Sequence, residues 1–453
     1  MMVMRVWVLG VLLWGGVLGC WGRAEGEGGS RVWTSGESGR QFSGELVKVE
    51  GETVSIRRDA DGVVFALKKS DLVPEDVAWI EANGGMASAD GEGGTETEGE
   101  VLDLSELVAG VPEAMGTPAI GVVFVEDGKV RGIGVAGVRK AGEETAVEPG
   151  DKWHLGSCTK SMTATLAATF VEEGALTWDT TLGEVLGEEM DMLEPYESVT
   201  LGLLLANRSG IPGKMPDSVE EGIDKWAALT DLSDREIMEQ RATYAEGVLN
   251  VEPSSAPGTA YEYSNAGFIV AGAMLEQVSG KPWERLMEER IFEPLGMSAS
   301  GFGNAAQEDK SEPTQPWPHE DGLKPREPGP GDDNSWVLGP AGTVHCSLRD
   351  VGRYMAMHAA RETGPVLKEE ATFEYLHEEV PDNDRYARGW IATGTGWSEG
   401  PAVAHDGSNT MNHCSIWVAP ERGAAVAAFT NSAEKGSESC KEAIGRVVGE
   451  YLE

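Results

Sequence analysis

The sequence predicts an α+β fold: an antiparallel sheet flanked by helices, with a helical subdomain, behind a small N-terminal β-barrel. Three observations carry this reading. A β-branched run, "PAIGVVFVEDGKVRGIGVAG", breaks at Asp127-Gly128 and reads as a hairpin near the start of the large domain. A second hairpin, "HCSIWVAPERGAAVAAFTNS", turns at Pro420 to Gly423 near its end. Helical periodicities fill the space between, notably from Thr181 to Met297. Strands at both ends with helices between them suggest a sheet that both termini close.

Taken in order, the chain opens with an export-type segment. Arg5 is its positive flank, Val6 to Gly19 is an apolar run too short to span a bilayer, and small residues follow. Residues 1–24 are read as a signal peptide removed after Ala24. A lipobox-like "VLGC" at 17–20 is the alternative, which would anchor the chain through Cys20. The expected location is periplasmic or cell-surface, with membrane contact only in the lipid-anchored case. Residues 31–83 alternate apolar and polar positions in short runs with turns at Gly51 and Asp61-Gly62, the pattern of a small barrel. Residues 84–100 are Gly-rich and acidic and can bury nothing, so they read as a linker. Residues 101–453 form the large domain. Within it an amphipathic helix is expected from Ser157 to Glu173, stopped by Gly174, and a C-terminal helix from about Lys435 to Leu452. A Pro-rich loop from Asn304 to Ser335 is long enough to expect a functional role.

Composition narrows the function. Hydrophobic residues make up 40% and charged residues 25%, ordinary for a folded protein, but the net charge is −40. That charge argues against nucleic acid, whose phosphates require Lys and Arg to displace their counterions. It also argues against a basic membrane-binding face. The five cysteines are scattered without paired metal-type spacing and read as buried thiols. No metal or other cofactor is expected; His405 and His413 lack further ligands.

Candidate chemistry starts at "HLGSCTKSM". Ser157 and Lys160 stand three apart where a loop turns into a helix, so they share a face. The helix start favours an alkoxide, and a lysine buried there loses solvation and can accept the serine proton. The alternative is that Ser157 caps the helix. A second Ser-x-x-Lys, Ser432 to Lys435, trails a strand and lacks this setting. Two further stretches join the first. "YEYSNAGF" holds Tyr263 and Asn265, a proton relay and an amide able to donate and accept. "VAHDGSNTMN" holds His405, Gly407 and Ser408, where a strand glycine admits close backbone approach and a free N–H could complete an oxyanion hole.

In this order the three stretches resemble the serine β-lactamase and penicillin-binding protein superfamily, in its class C β-lactamase-like branch. "VTLGLLLANRSGIPG" and "GPAGTVHCSLRDVGRYM" look like the same branch. The resemblance implies a β-lactamase/transpeptidase-like fold and an exported serine hydrolase of the D-alanyl-D-alanine carboxypeptidase, esterase or β-lactamase type, acting on a small-molecule or peptide amide or ester. It implies that Ser157 is acylated, that Lys160 and Tyr263 share the acid/base work, and that Asn265 orients substrate and lysine. His405 would line the site, and the N–H groups of Ser157 and Ser408 would form the oxyanion hole. Asn207 stands where the branch usually has a histidine. The third stretch carries less glycine than usual, which weighs against a β-lactam substrate. "RVWTSGESGRQFSGELVKVEGETVSIRRDADGVVFALKKSDLVPEDVAWI" resembles the Sla homology domain, an SH3-like module able to bind peptides. A catalytically silent β-lactamase-fold protein that binds a peptide or protein through this barrel is therefore the competing expectation.

Overall fold

The computed structural model describes residues 30–34, 41–50, 53–58, 64–69, 72–74, 76–77, 80, 101–227, 229, 232–306, 313–329 and 331–453. The chain divides into two compact units, Met1–Glu96 and Thr97–Glu453. The signal segment, the lipobox at Cys20 and the linker lie outside the described residues.

In the first unit, strands Ser30–Thr34, Gln41–Glu50, Thr53–Arg58 and Val64–Lys68 form a four-stranded antiparallel meander. Trp33, Leu46, Val54, Ile56, Leu72 and Ile80 form its core. Among the described residues the two outer strands each pair on one side only; closure of the expected barrel would involve residues outside the described ones.

The second unit is built on seven strands: β1 (Leu102–Asp103), β2 (Ala119–Glu126), β3 (Lys129–Gly137), β4 (Ile391–Thr393), β5 (Ala402–Ser408), β6 (His413–Ala419) and β7 (Ala424–Thr430). Their order is β4-β5-β6-β7-β2-β3-β1. N- and C-terminal hairpins join through β7 and β2, as the sequence pattern suggested. The first hairpin turns at Asp127 and Gly128, both with positive φ, which suits the strand twist. One expectation is corrected. The sheet is mixed rather than antiparallel, because the two-residue β1 pairs parallel with β3.

Four helices frame the sheet and the site: α1 (Thr159–Glu172), α2 (Asn265–Ser279), α3 (Leu348–Ala360) and α4 (Gly436–Tyr451). Side chains of β2 alternate between two cores. Ala119, Val123 and Val125 face the large core that includes α1, α2 and α3. Ile120, Val122 and Phe124 face a smaller core with Cys440, Ala443, Ile444 and Val447 of α4. A strand covered on both faces reads as a continuous apolar run, which explains the composition of β2. Cys158, Cys346, Cys414 and Cys440 are free, buried thiols.

Helix α1 departs from expectation. It is buried all round from Thr159 to Phe170, not amphipathic. Its hydroxyls are satisfied within the core: Ser161 donates to the Cys158 carbonyl, Thr163 to Pro340 and Thr169 to Leu166. A hydroxyl so bonded can be buried at little cost, so a helix with polar letters on several faces still becomes the centre of the domain.

Beside α1 lies a buried histidine pair. His358 Nδ1 stands 2.9 Å from His377 Nε2, and His358 Nε2 stands 3.1 Å from Thr165 Oγ1. Burial, with Arg361 adding, pushes His377 down to about 3, and burial lowers His358 as well. Both are neutral when folded, whereas an unfolded histidine protonates near 6.5. The unfolded state therefore binds more protons below that pH, and stability falls with pH from about 6.5 towards 3. The expected loss by pH 4 is on the order of a few kcal/mol, read from urea midpoints. His377→Gln should flatten the slope; an unchanged slope would contradict this account.

Candidate active site

The site forms where the start of α1, the start of α2 and the end of β5 meet. Ser157 sits inside a one-turn 3-10 helix, Gly156–Cys158, directly ahead of α1. Its hydroxyl caps neither helix: the residues at the two N-cap positions are Leu155 and Cys158, and neither cap has a side-chain bond. The capping alternative thus finds no support. Instead Lys160 Nζ lies 3.1 Å from Ser157 Oγ.

Lys160 is fully buried, and desolvation pulls its amine down to about 7. Its second bond is to the Ala341 carbonyl, 2.7 Å away. A neutral amine in this setting donates to Ala341 and directs its lone pair at the serine hydroxyl, the arrangement a general base requires. Ala341 lies in the short helix Gly339–Gly342, whose approach is fixed from behind by buried Arg241. Arg241 bonds Glu276 and Glu284 and donates to the Trp336 carbonyl at 2.8 Å.

Tyr263 approaches from the other side. Lys160 Nζ is 4.9 Å from its ring centroid. Burial pushes its phenol well above the usual range, and hydrogen bonding with Ser157 opposes that rise, so the phenol stays protonated at neutral pH. Asn207 holds this segment. In a left-handed conformation (φ 54°), it accepts from the Glu262 N–H at 2.9 Å through its carbonyl and from the Ser264 N–H at 3.1 Å through Oδ1. Asn207 thus clamps the residues on both sides of Tyr263. Ser264 caps α2 by accepting from the Gly267 N–H. Asn265 opens α2 and is exposed; the contact that orients Lys160 comes from Ala341, not from Asn265.

The third stretch lies along β5. His405 is buried, with Nδ1 2.7 Å from the Asp406 carbonyl and Nε2 3.2 Å from the Tyr386 hydroxyl. The first contact fixes the Nδ1–H tautomer, and Nε2 then accepts from Tyr386. Burial, with Lys160 adding, pushes His405 down to about 4, so it is neutral. Its ring lies 6.4 Å from that of Tyr263. Tyr386 completes this aromatic wall and carried no spacing signal in the sequence.

Two glycines let β5 touch the turn that carries Ser157. A Cβ on Gly407 would fall 1.9 Å from the Leu155 carbonyl oxygen. A Cβ on Gly156 (φ +48°) would fall 2.4 Å from the Ser408 nitrogen. The Ser408 N–H therefore lies beside the Ser157 turn, as an oxyanion hole built from these two residues requires. Gly407→Ala must push the two segments apart. It should cost about 1–3 kcal/mol of stability and about 100-fold in turnover; wild-type values in both would contradict the close approach. The second Ser-x-x-Lys is no site: Ser432 is buried and donates to the Glu434 carbonyl. Among the described residues no group of three His, Cys, Asp or Glu side chains is arranged to hold a metal.

Comparison with known proteins gives the family and fold of the second unit. The Beta-lactamase family model matches residues 104–448. Penicillin-binding protein 4 of Amycolatopsis lactamdurans is 27% identical over 346 residues, spanning 72% of this chain and 84% of that protein. Lovastatin esterase of Penicillium rubens is 30% identical over 183 residues, 37% of this chain and 44% of the esterase. Among solved structures, a D-stereospecific amidohydrolase from Streptomyces sp. superposes with a TM-score of 0.57 at 20% identity, covering 76% of this chain and 96% of that one.

Proposed function

The chain belongs to the β-lactamase family of serine hydrolases, and from that premise we propose that it hydrolyses an amide or ester through acylation of Ser157. The observation that carries the reading is the desolvated Lys160 amine 3.1 Å from Ser157 Oγ. Ser157 Oγ attacks the carbonyl carbon as its proton passes to Lys160. The Ser157 and Ser408 N–H groups take the developing oxyanion charge. Tyr263, protonated and beside both Ser157 and Lys160, passes a proton to the leaving group and regains one from the lysine ammonium. Water then enters, and the same groups act in reverse to release the acid. His405 is neutral with both ring nitrogens engaged, so it shapes the wall without contributing a charge.

The relatives named above include a penicillin-binding protein and an esterase, and the matched fold includes an amidohydrolase. D-Alanyl peptides and simple esters are the substrate classes to test first. We place the enzyme outside the cytoplasm, on the N-terminal segment, and assign the small sheet to peptide or protein binding. The test is a panel of p-nitrophenyl butyrate, a D-alanyl-D-alanine peptide and a chromogenic cephalosporin. Turnover of the ester or peptide, lost in Ser157→Ala, supports the reading; no turnover of any, on folded protein, favours the catalytically silent binder.

A further inference from the structure

We infer that Asp333, in the long Pro-rich loop, is a positioning residue that locks the two oxyanion donors into one frame. The inference rests on the acyl-transfer reading above. The Asp333 side chain is buried, 4% exposed, as is that of His154. Asp333 Oδ2 lies 2.9 Å from His154 Nε2, and Oδ1 accepts from Asn409 Nδ2 at 2.8 Å. His154 Nδ1 in turn accepts from the Gly156 N–H at 3.0 Å. This last bond fixes the tautomer: Nδ1 is the acceptor, so Nε2 carries the proton and donates it to Asp333.

One carboxylate thus reaches both segments that supply the candidate oxyanion donors. Through His154 it holds Gly156, the residue before Ser157. Through Asn409 it holds the residue after Ser408. Asn409 Oδ1 accepts from the N–H groups of Met411 and Asn412, so the whole turn after β5 is organised around this side chain. An oxyanion hole acts only when its donors point at the developing charge before the reaction begins. Here the two donors lie some 250 residues apart in sequence, and Asp333 joins their supports across a single side chain.

The partner chemistry makes the test sharp. His154 Nε2–H and Asn409 Nδ2–H are both donors, and a carboxylate accepts both. An amide at position 333 has one acceptor and one donor group, so Asp333→Asn must lose one arm while keeping its volume. His154→Phe removes the histidine arm directly.

Wild type, Asp333→Asn, His154→Phe and the double variant are compared for kcat, KM, thermal midpoint and inhibition by 3-aminophenylboronic acid. The boronate forms a tetrahedral adduct on an active serine and reports on the oxyanion hole. The expected result is a fall of about 10- to 100-fold in kcat for each single variant. Boronate affinity should fall in parallel, with KM within about threefold. The double variant should be no worse than the weaker single one by more than a fewfold, because both cut one bridge. A fall in thermal midpoint with kcat and boronate affinity kept, or a rise in KM alone, overturns the positioning role. Losses that multiply in the double variant overturn it too. Absence of both turnover and boronate binding in the wild type overturns the acyl-transfer reading itself, and this inference with it.

Discussion

Ser157→Ala is expected to lower turnover by at least about 10⁴-fold while leaving the fold unchanged. The two halves of that expectation come from one observation: the hydroxyl points at Lys160 and caps no helix. A capping serine would cost about 1 kcal/mol on truncation. This serine should change the urea midpoint by no more than an exposed substitution does, within about 0.5 kcal/mol. Turnover above 1% of wild type would remove Ser157 from the mechanism.

Lys160→Met is expected to separate activity from stability. The amine is fully buried and, among the described residues, makes no ion pair. Holding it at about 7 instead of its ordinary value near 10.5 opposes folding at neutral pH by roughly 5 kcal/mol. Methionine removes that term. It also leaves the Ala341 carbonyl without its donor, which costs about 1–3 kcal/mol. The desolvation term wins, so the variant should be more stable at pH 7 by about 2 kcal/mol while its turnover falls about 10³-fold or more.

The pH dependence checks the sign. Between pH 7 and 10.5 the unfolded lysine still binds a proton and the folded one does not, so wild-type stability rises with pH and the gap to Lys160→Met closes. Urea midpoints at pH 7 and pH 9.5 measure it. In wild type, kcat/KM should climb with pH and level off above about 7 as the free amine forms. A less stable Lys160→Met, or a rate that falls through pH 7, would contradict this picture.

What the sequence showed and hid follows from the kind of signal each feature leaves. β2, β3, β6 and β7 were legible because β-branched and small apolar runs end at turn residues. The parallel β1 was not, since two residues carry no period. Helix α1 was legible as a helix but not as a wholly buried one. Its Ser and Thr hydroxyls look polar in the sequence and are satisfied only by carbonyls in the fold. Ser157, Lys160, Tyr263, His405 and Gly407 were singled out from side-chain type and spacing, and the structure brings them together. The Ala341 carbonyl that orients Lys160 has no side-chain signature at all. Tyr386 and the Asp333–His154 contact escaped because they are long-range; the latter spans 179 residues. The export segment and the linker fall outside the described residues, and of the expected barrel the described residues show a four-stranded antiparallel meander.

The central claim is that Ser157 is the atom acylated. The most direct measurement is intact-mass and peptide-level mass spectrometry after exposure to a fluorophosphonate, with Ser157→Ala alongside. One adduct per chain, on the peptide containing Ser157 and absent from the variant, is the predicted result. A folded wild-type protein that gains no adduct, or gains one elsewhere that persists in Ser157→Ala, would contradict it.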